Sequence, residues 1–247
     1  MHGTPFMDFP LSLTGSRMHE CEWNDTALCD WQYSYWRNWY EADIRYALST
    51  VALFLVGIAL FSAIYISSQL MPERLTQSKT LHRLAGLNRY LSYKAFRIPV
   101  LNWNSAPLGV LILGGIGAIY FFSMTLATKP YYWPNTETFH FGDSPPIATR
   151  SGWLSIGCMP FVFATAGKSN LITLCTGISH EKLQVFHRWI AYAFLVTALI
   201  HTFPFIVYNI QVGSMVESWK TSQFYWTGTV ALLAQAWLTF ASWGPIR

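Results

Sequence analysis

The feature that most constrains this chain is a set of long stretches without charge. Residues 46–66 and 106–128 run for 21 and 23 positions with no Asp, Glu, Lys or Arg. At 1.5 Å per residue, each matches a bilayer hydrocarbon core of about 30 Å as a single helix. Further apolar stretches occupy 151–167, 185–210 and 223–242. The chain is therefore expected to be an all-α membrane protein, a helical bundle with about five transmembrane helices. Composition agrees: 52% of residues are hydrophobic and only 11% charged, against about 25% charged in a soluble domain.

Charge placement sets the expected topology. The segment after the first stretch carries Arg74, Lys79, Arg83, Arg89, Lys94 and Arg97 against one acid, Glu73. Lys and Arg in short loops between spans mark the cytosolic side. A short loop between spans explains this charge more simply than a nucleic-acid patch, so no nucleic acid is expected as partner. The N-terminus then lies outside, and Arg247 at the far end is cytosolic. Residues 1–44 hold seven of the twelve acids. Cys21 and Cys29 could bridge there if that side is oxidising, and Asn24-Asp25-Thr26 is a glycosylation sequon. Trp31, Tyr33, Tyr35, Trp36, Trp39 and Tyr40 read as an interfacial aromatic belt. Cys158 and Cys175, in or beside apolar stretches, read as small core residues. The expected division is an external segment 1–44, an extra N-terminal transmembrane helix 45–68, a basic cytosolic loop 69–104 and a membrane domain 105–247. No signal peptide is visible at the N-terminus, so the first span would act as its own insertion signal or the true start lies upstream.

The stretch 185–210 carries chemistry. It holds His187 and His201, 14 residues apart. At about 100° per residue the two imidazoles share one helix face, and along the axis they stand about 21 Å apart. An ionisable side chain inside a span is costly and marks a functional site by default. Two on one face, at two depths, suggest two haem irons stacked across the bilayer to carry electrons through a layer that excludes ions. His187 would be the cytosolic-side ligand and His201 the outer one. The plainer reading gives each His a hydrogen bond to a neighbouring helix. A haem held on both faces by imidazole needs two histidines per iron, so two haems need a second pair. His2, His19, His82, His140 and His180 do not supply it. No GxGxxG phosphate loop follows a strand, so the chain offers no flavin or nicotinamide site. It reads as the front part of a longer protein, or as one whose missing ligands come from a partner chain.

From about residue 90 to 247 the sequence resembles the fungal ferric reductases, membrane metalloreductases related to NADPH oxidases. The resemblance is densest at PPIATRSG (145–152), AGKSNL (166–171), TGIS (176–179) and LQVFHRW (183–189), with His201. It implies electron flow from NADPH through FAD and two b-type haems (haem b) to extracellular Fe(III) or Cu(II) chelates, at the plasma membrane. His187 and His201 match the family's first ligand helix. The second ligand helix and the FAD- and NADPH-binding domain would follow Arg247. Arg188 reads equally as a haem-propionate partner or a cytosolic-face anchor. Arg150 could hold an outer propionate or an anionic chelate, with outer-surface anchoring the favoured reading. Phe194, midway between the histidines, is either packing or a relay between haems. Lys168 and Asn170 would shape the inner loop. A superoxide-generating oxidase and a non-catalytic truncated relative are the alternatives.

Overall fold

The computed structural model describes residues 24, 26, 39–72, 78–99, 103–127 and 145–242. Among them the chain forms eight helices and one minimal hairpin. The helices are α1 (Trp39–Leu70), α2 (Lys79–Tyr93), α3 (Leu108–Leu126), α4 (Pro146–Ala166), α5 (Leu171–Thr176), α6 (His180–Val212), α7 (Met215–Thr221) and α8 (Gln223–Ala241). The strands β1 (Arg97–Ile98) and β2 (Trp103–Asn104) pair antiparallel, Arg97 opposite Asn104. Ile44–Leu70, α3 and α6 are each long and apolar enough to cross a membrane, which makes this an integral membrane protein. α4 and α8 form helices over the other two expected stretches. The Cys21–Cys29 bridge, the aromatic residues from Trp31 to Trp36, His2, His19, His140, Glu73, Arg74 and Arg247 lie outside the described residues.

Three expectations change. The third apolar stretch was expected to start at residue 151, yet α4 starts at Pro146, because proline's fixed φ and missing N–H suit a first helical turn. The basic segment 69–104 is not a bare loop, since it contains α2 and the hairpin. Cys158 is fully buried, but Cys175 is exposed, so only the first is a core residue.

Two compact units divide the chain: Met1–Val51 with Thr128–Met159 and Tyr192–Arg247, and Ala52–Ala127 with Pro160–Ala191. In the first, one face of α4 is dry: Ala148, Ser151, Leu154 and Cys158 are each 0% exposed. Their spacing of three or four residues is one helix stripe. The side chains are mostly small, which lets helices approach closely in lipid. A Cβ at Gly157 would lie 2.8 Å from Thr50 Cβ and 2.9 Å from the Ala47 carbonyl oxygen, so only glycine admits α1 there. The buried hydroxyls close on their own helices. Thr50 Oγ1 donates to the Tyr46 carbonyl at 2.7 Å, and Thr197 Oγ1 to that of Ala193 at 2.7 Å. That back-bonding satisfies a polar group where no water is available.

In the second unit Phe54 and Phe161 stack at 4.6 Å between ring centroids. The Trp189 ring covers Gly114, occupying the space where a side chain at 114 would go. Gly177 closes α5 in the left-handed region, φ 66°, with Tyr65 against its Cα hydrogen. Asn170 caps the start of α5, its Oδ1 accepting from Thr173 N at 2.8 Å while its Nδ2 donates to the Gly167 carbonyl at 2.8 Å. Asn170 thus shapes the turn between α4 and α5, as expected for an N-cap.

Candidate functional site

Both histidines of interest lie on α6, which runs unbroken through Pro204. A proline inside a membrane helix is tolerated when neighbours take up the freed carbonyl. Each histidine is described in its own unit.

In the first unit the Nδ1 of His201 lies 2.8 Å from the Ala148 carbonyl oxygen. A carbonyl only accepts, so Nδ1 is the donor in this contact and Nε2 is left for another partner. The ring is seated on Gly152: a Cβ there would meet Nδ1 at 2.5 Å, Cε1 at 2.9 Å and Cγ at 3.1 Å. Phe205 meets the imidazole edge-on, centroids 5.2 Å apart. Ser155 Oγ donates to the Phe194 carbonyl at 3.2 Å, a further tie between α4 and α6. Phe194 therefore has a structural role through its backbone, while its side chain is half-buried. Arg150 is only 6% exposed. That burial corrects the reading of Arg150 as an outer-surface anchor.

The second unit repeats the arrangement. His187 Nδ1 lies 3.0 Å from the Val162 carbonyl oxygen and 3.3 Å from Thr165 Oγ1. Thr165 donates its own proton to the Phe161 carbonyl at 2.6 Å, so toward His187 its oxygen accepts. Gln184 Nε2 donates to the Thr165 carbonyl at 3.2 Å and lies 3.3 Å from His180 Nε2. His180, expected as a surface residue, is half-buried in this cluster. Arg188 is exposed, and so is Lys168.

The two acceptors, Ala148 and Val162, are 14 positions apart on α4, as the two histidines are on α6. A metal-ligating imidazole ordinarily donates its second ring N–H to a carbonyl or carboxylate, which fixes tautomer and ring orientation. Both Nδ1 contacts have that form, which leaves Nε2 of each ring as the nitrogen that would face iron. The residues fit a b-type haem iron on this count, with one ligand per iron from α6. Among the described residues no three His, Cys, Asp or Glu side chains gather to hold a bare metal ion. Residue-type reasoning found the histidines but missed Gly152, Thr165 and Gln184. Gly152 and Gln184 stood inside the motif blocks, and their contacts depend on helix pairing.

The fold and site define an integral membrane protein whose long helix carries two imidazoles, each in contact with a main-chain oxygen. Residues 151–247 match the ferric reductase like transmembrane component family. It is 27% identical over 198 residues to ferric/cupric reductase transmembrane component 7 of Saccharomyces cerevisiae, covering 74% of this chain and 31% of that protein. It is 32% identical over 142 residues to a probable cell surface ferric reductase, kap2, of Aspergillus oryzae, covering 53% of this chain and 18% of that one. With ferric reductase transmembrane component 4 of S. cerevisiae it shares 24% over 216 residues, 80% of this chain and 29% of the relative. The chain spans about a third or less of the length of these curated relatives. No solved structure matches.

Proposed function

We propose that this chain is the transmembrane electron-relay part of a ferric or cupric chelate reductase. His187 and His201 would each give Nε2 to one b-type haem, the inner and outer centres respectively. The haem iron, when bound, supplies reversible one-electron chemistry inside the bilayer. This chain's residues would fix the turn of each imidazole, through the carbonyls of Val162 and Ala148 and the hydroxyl of Thr165. Electrons would come from NADPH by way of FAD, held outside these 247 residues. They would leave to Fe(III) or Cu(II) chelates on the outer face of the plasma membrane. The second histidine of each pair would come from sequence after Arg247 or from a partner chain. The observation that carries the reading is the matched pair of His Nδ1–carbonyl contacts, 3.0 Å and 2.8 Å, within a chain related to proteins named ferric/cupric reductases.

The test is a reduced-minus-oxidised spectrum of the protein at its full natural length in native membranes. A b-type difference spectrum is expected. His187→Ala and His201→Ala should each remove one of two components in a redox titration. A spectrum unchanged by either substitution would refute the assignment.

A further inference from the structure

We propose that α2 (Lys79–Tyr93) is an interfacial helix that lies on the membrane surface and binds anionic phospholipid headgroups. At about 100° per residue, Leu81, Leu84, Leu87 and Leu91 fall within an arc of about 120°. Lys79, His82, Arg83 and Arg89 fall within a second arc of similar width, its centre about 160° from the first. The leucine side is uncovered: Leu84, Leu87 and Leu91 are 61%, 55% and 44% exposed. The segment 78–97 contains no acid. A helix with one leucine face and one basic face rests in the boundary layer, its apolar side in the acyl region and its cations at the phosphates.

The helix is held at the end of a span. Leu108 N, at the first turn of α3, donates to the Lys94 carbonyl at 2.8 Å. Ser105 N donates to the Phe96 carbonyl at 2.8 Å, and Phe96 N to Ser105 Oγ at 2.8 Å. A Cβ at Gly109 would lie 3.2 Å from both the Cα and the carbonyl oxygen of Ser92, so the last turn of α2 abuts the first turn of α3. Because α3 is long and apolar enough to cross a membrane, its end is the depth of the headgroups, and α2 is fixed there. Aromatic residues mark the same depth: Lys94 Nζ donates to Tyr90 Oη at 2.8 Å, and Lys182 Nζ to Tyr93 Oη at 2.8 Å. Charge complementarity decides the occupant. Basic side chains face a layer whose phosphates are anionic, and the leucines face one that excludes water.

The test uses the whole chain in nanodiscs of phosphatidylcholine, with and without phosphatidylserine. Cys21, Cys29 and Cys175 are first replaced by Ser. Spin labels go one at a time on Leu84→Cys, Leu87→Cys, Leu91→Cys, His82→Cys and Gly86→Cys. Gly86 has open space around it, so it accepts a label. Labels at 84, 87 and 91 should be accessible to oxygen and shielded from a polar nickel reagent, and those at 82 and 86 the reverse. Phosphatidylserine should deepen the leucine positions. The Lys79→Gln, Arg83→Gln, Arg89→Gln triple variant should lose that dependence while keeping the phase. A profile without helical phase, labels shielded from both reagents by a protein partner, or identical depths in both lipids would overturn the proposal.

Discussion

Replacing Gly152 with alanine tests how tightly α4 seats the His201 imidazole. The added Cβ would stand 2.5 Å from Nδ1, where ordinary contact begins near 3.4 Å. The ring, or α4, must therefore yield by 3.4 − 2.5, about 0.9 Å. Taken along the Nδ1–oxygen direction, that shift would stretch the 2.8 Å contact with Ala148 to about 3.7 Å, beyond hydrogen-bond range. A buried donor left unsatisfied costs about 1–3 kcal/mol. The ring would also lose the partner that fixes its tautomer, and losing such a partner typically costs about 10–100-fold in metal affinity. In the full-length protein Gly152→Ala should therefore lower occupancy of the His201 centre by about tenfold or more, and leave the His187 centre in place. The assay is a redox titration of the difference spectrum, resolved into two components, after gel filtration shows folded protein. Gly115→Ala is the control, since a Cβ there meets nothing within 4 Å. A Gly152→Ala protein with both components at normal amplitude and potential would refute the argument that glycine makes room for the imidazole.

Thr165→Val keeps the side-chain volume but deletes the second acceptor at His187 Nδ1. A less polarised imidazole donates less charge to iron, so the midpoint potential of the His187 centre should rise, measured by the same titration. Gly114→Ala drives a methyl group into the Trp189 ring, and such overpacking costs about 1–3 kcal/mol. A fluorescence melt in detergent should show a lowered midpoint against wild type, while Gly115→Ala stays close to it. The Lys182 ammonium, which donates to the Tyr93 hydroxyl and places a positive charge beside it, holds Tyr93 below the ordinary 10.0, outweighing a small opposing effect of burial. The folded form thus releases this proton first, so the contribution to stability is present above 10.0 and is lost as pH falls through the depressed value. Ultraviolet titration of wild type against Tyr93→Phe should find one tyrosine ionising early, and Lys182→Met should return it to the ordinary range.

Much of this architecture was legible from uncharged length. The stretch 106–128 became Leu108–Leu126, and 223–242 became Gln223–Ala241. Errors fell where charge was used as a boundary. Arg150 was taken to stand outside a helix that in fact begins at Pro146 and buries the guanidinium. Between 79 and 93 the basic count dominated the reading, although leucines at 81, 84, 87 and 91 already carried a helical repeat. At the site, His187 and His201 stood out because imidazole is rare and expensive in an apolar run. Their acceptors did not. Ala148 and Val162 contribute carbonyl oxygens, and every residue has one.

That last point bears on inheritance. The atoms steadying each imidazole are peptide oxygens, so the side chains at 148 and 162 supply none of that chemistry, although Ala148, fully buried, leaves no room for a larger residue. What must survive is the count of residues along α4. A one-residue insertion between 148 and 162 would rotate one oxygen by about 100° away from its ring, while leaving every side chain's chemistry intact. Divergent relatives should therefore tolerate few changes of length in this helix, and replacements chiefly off its buried face.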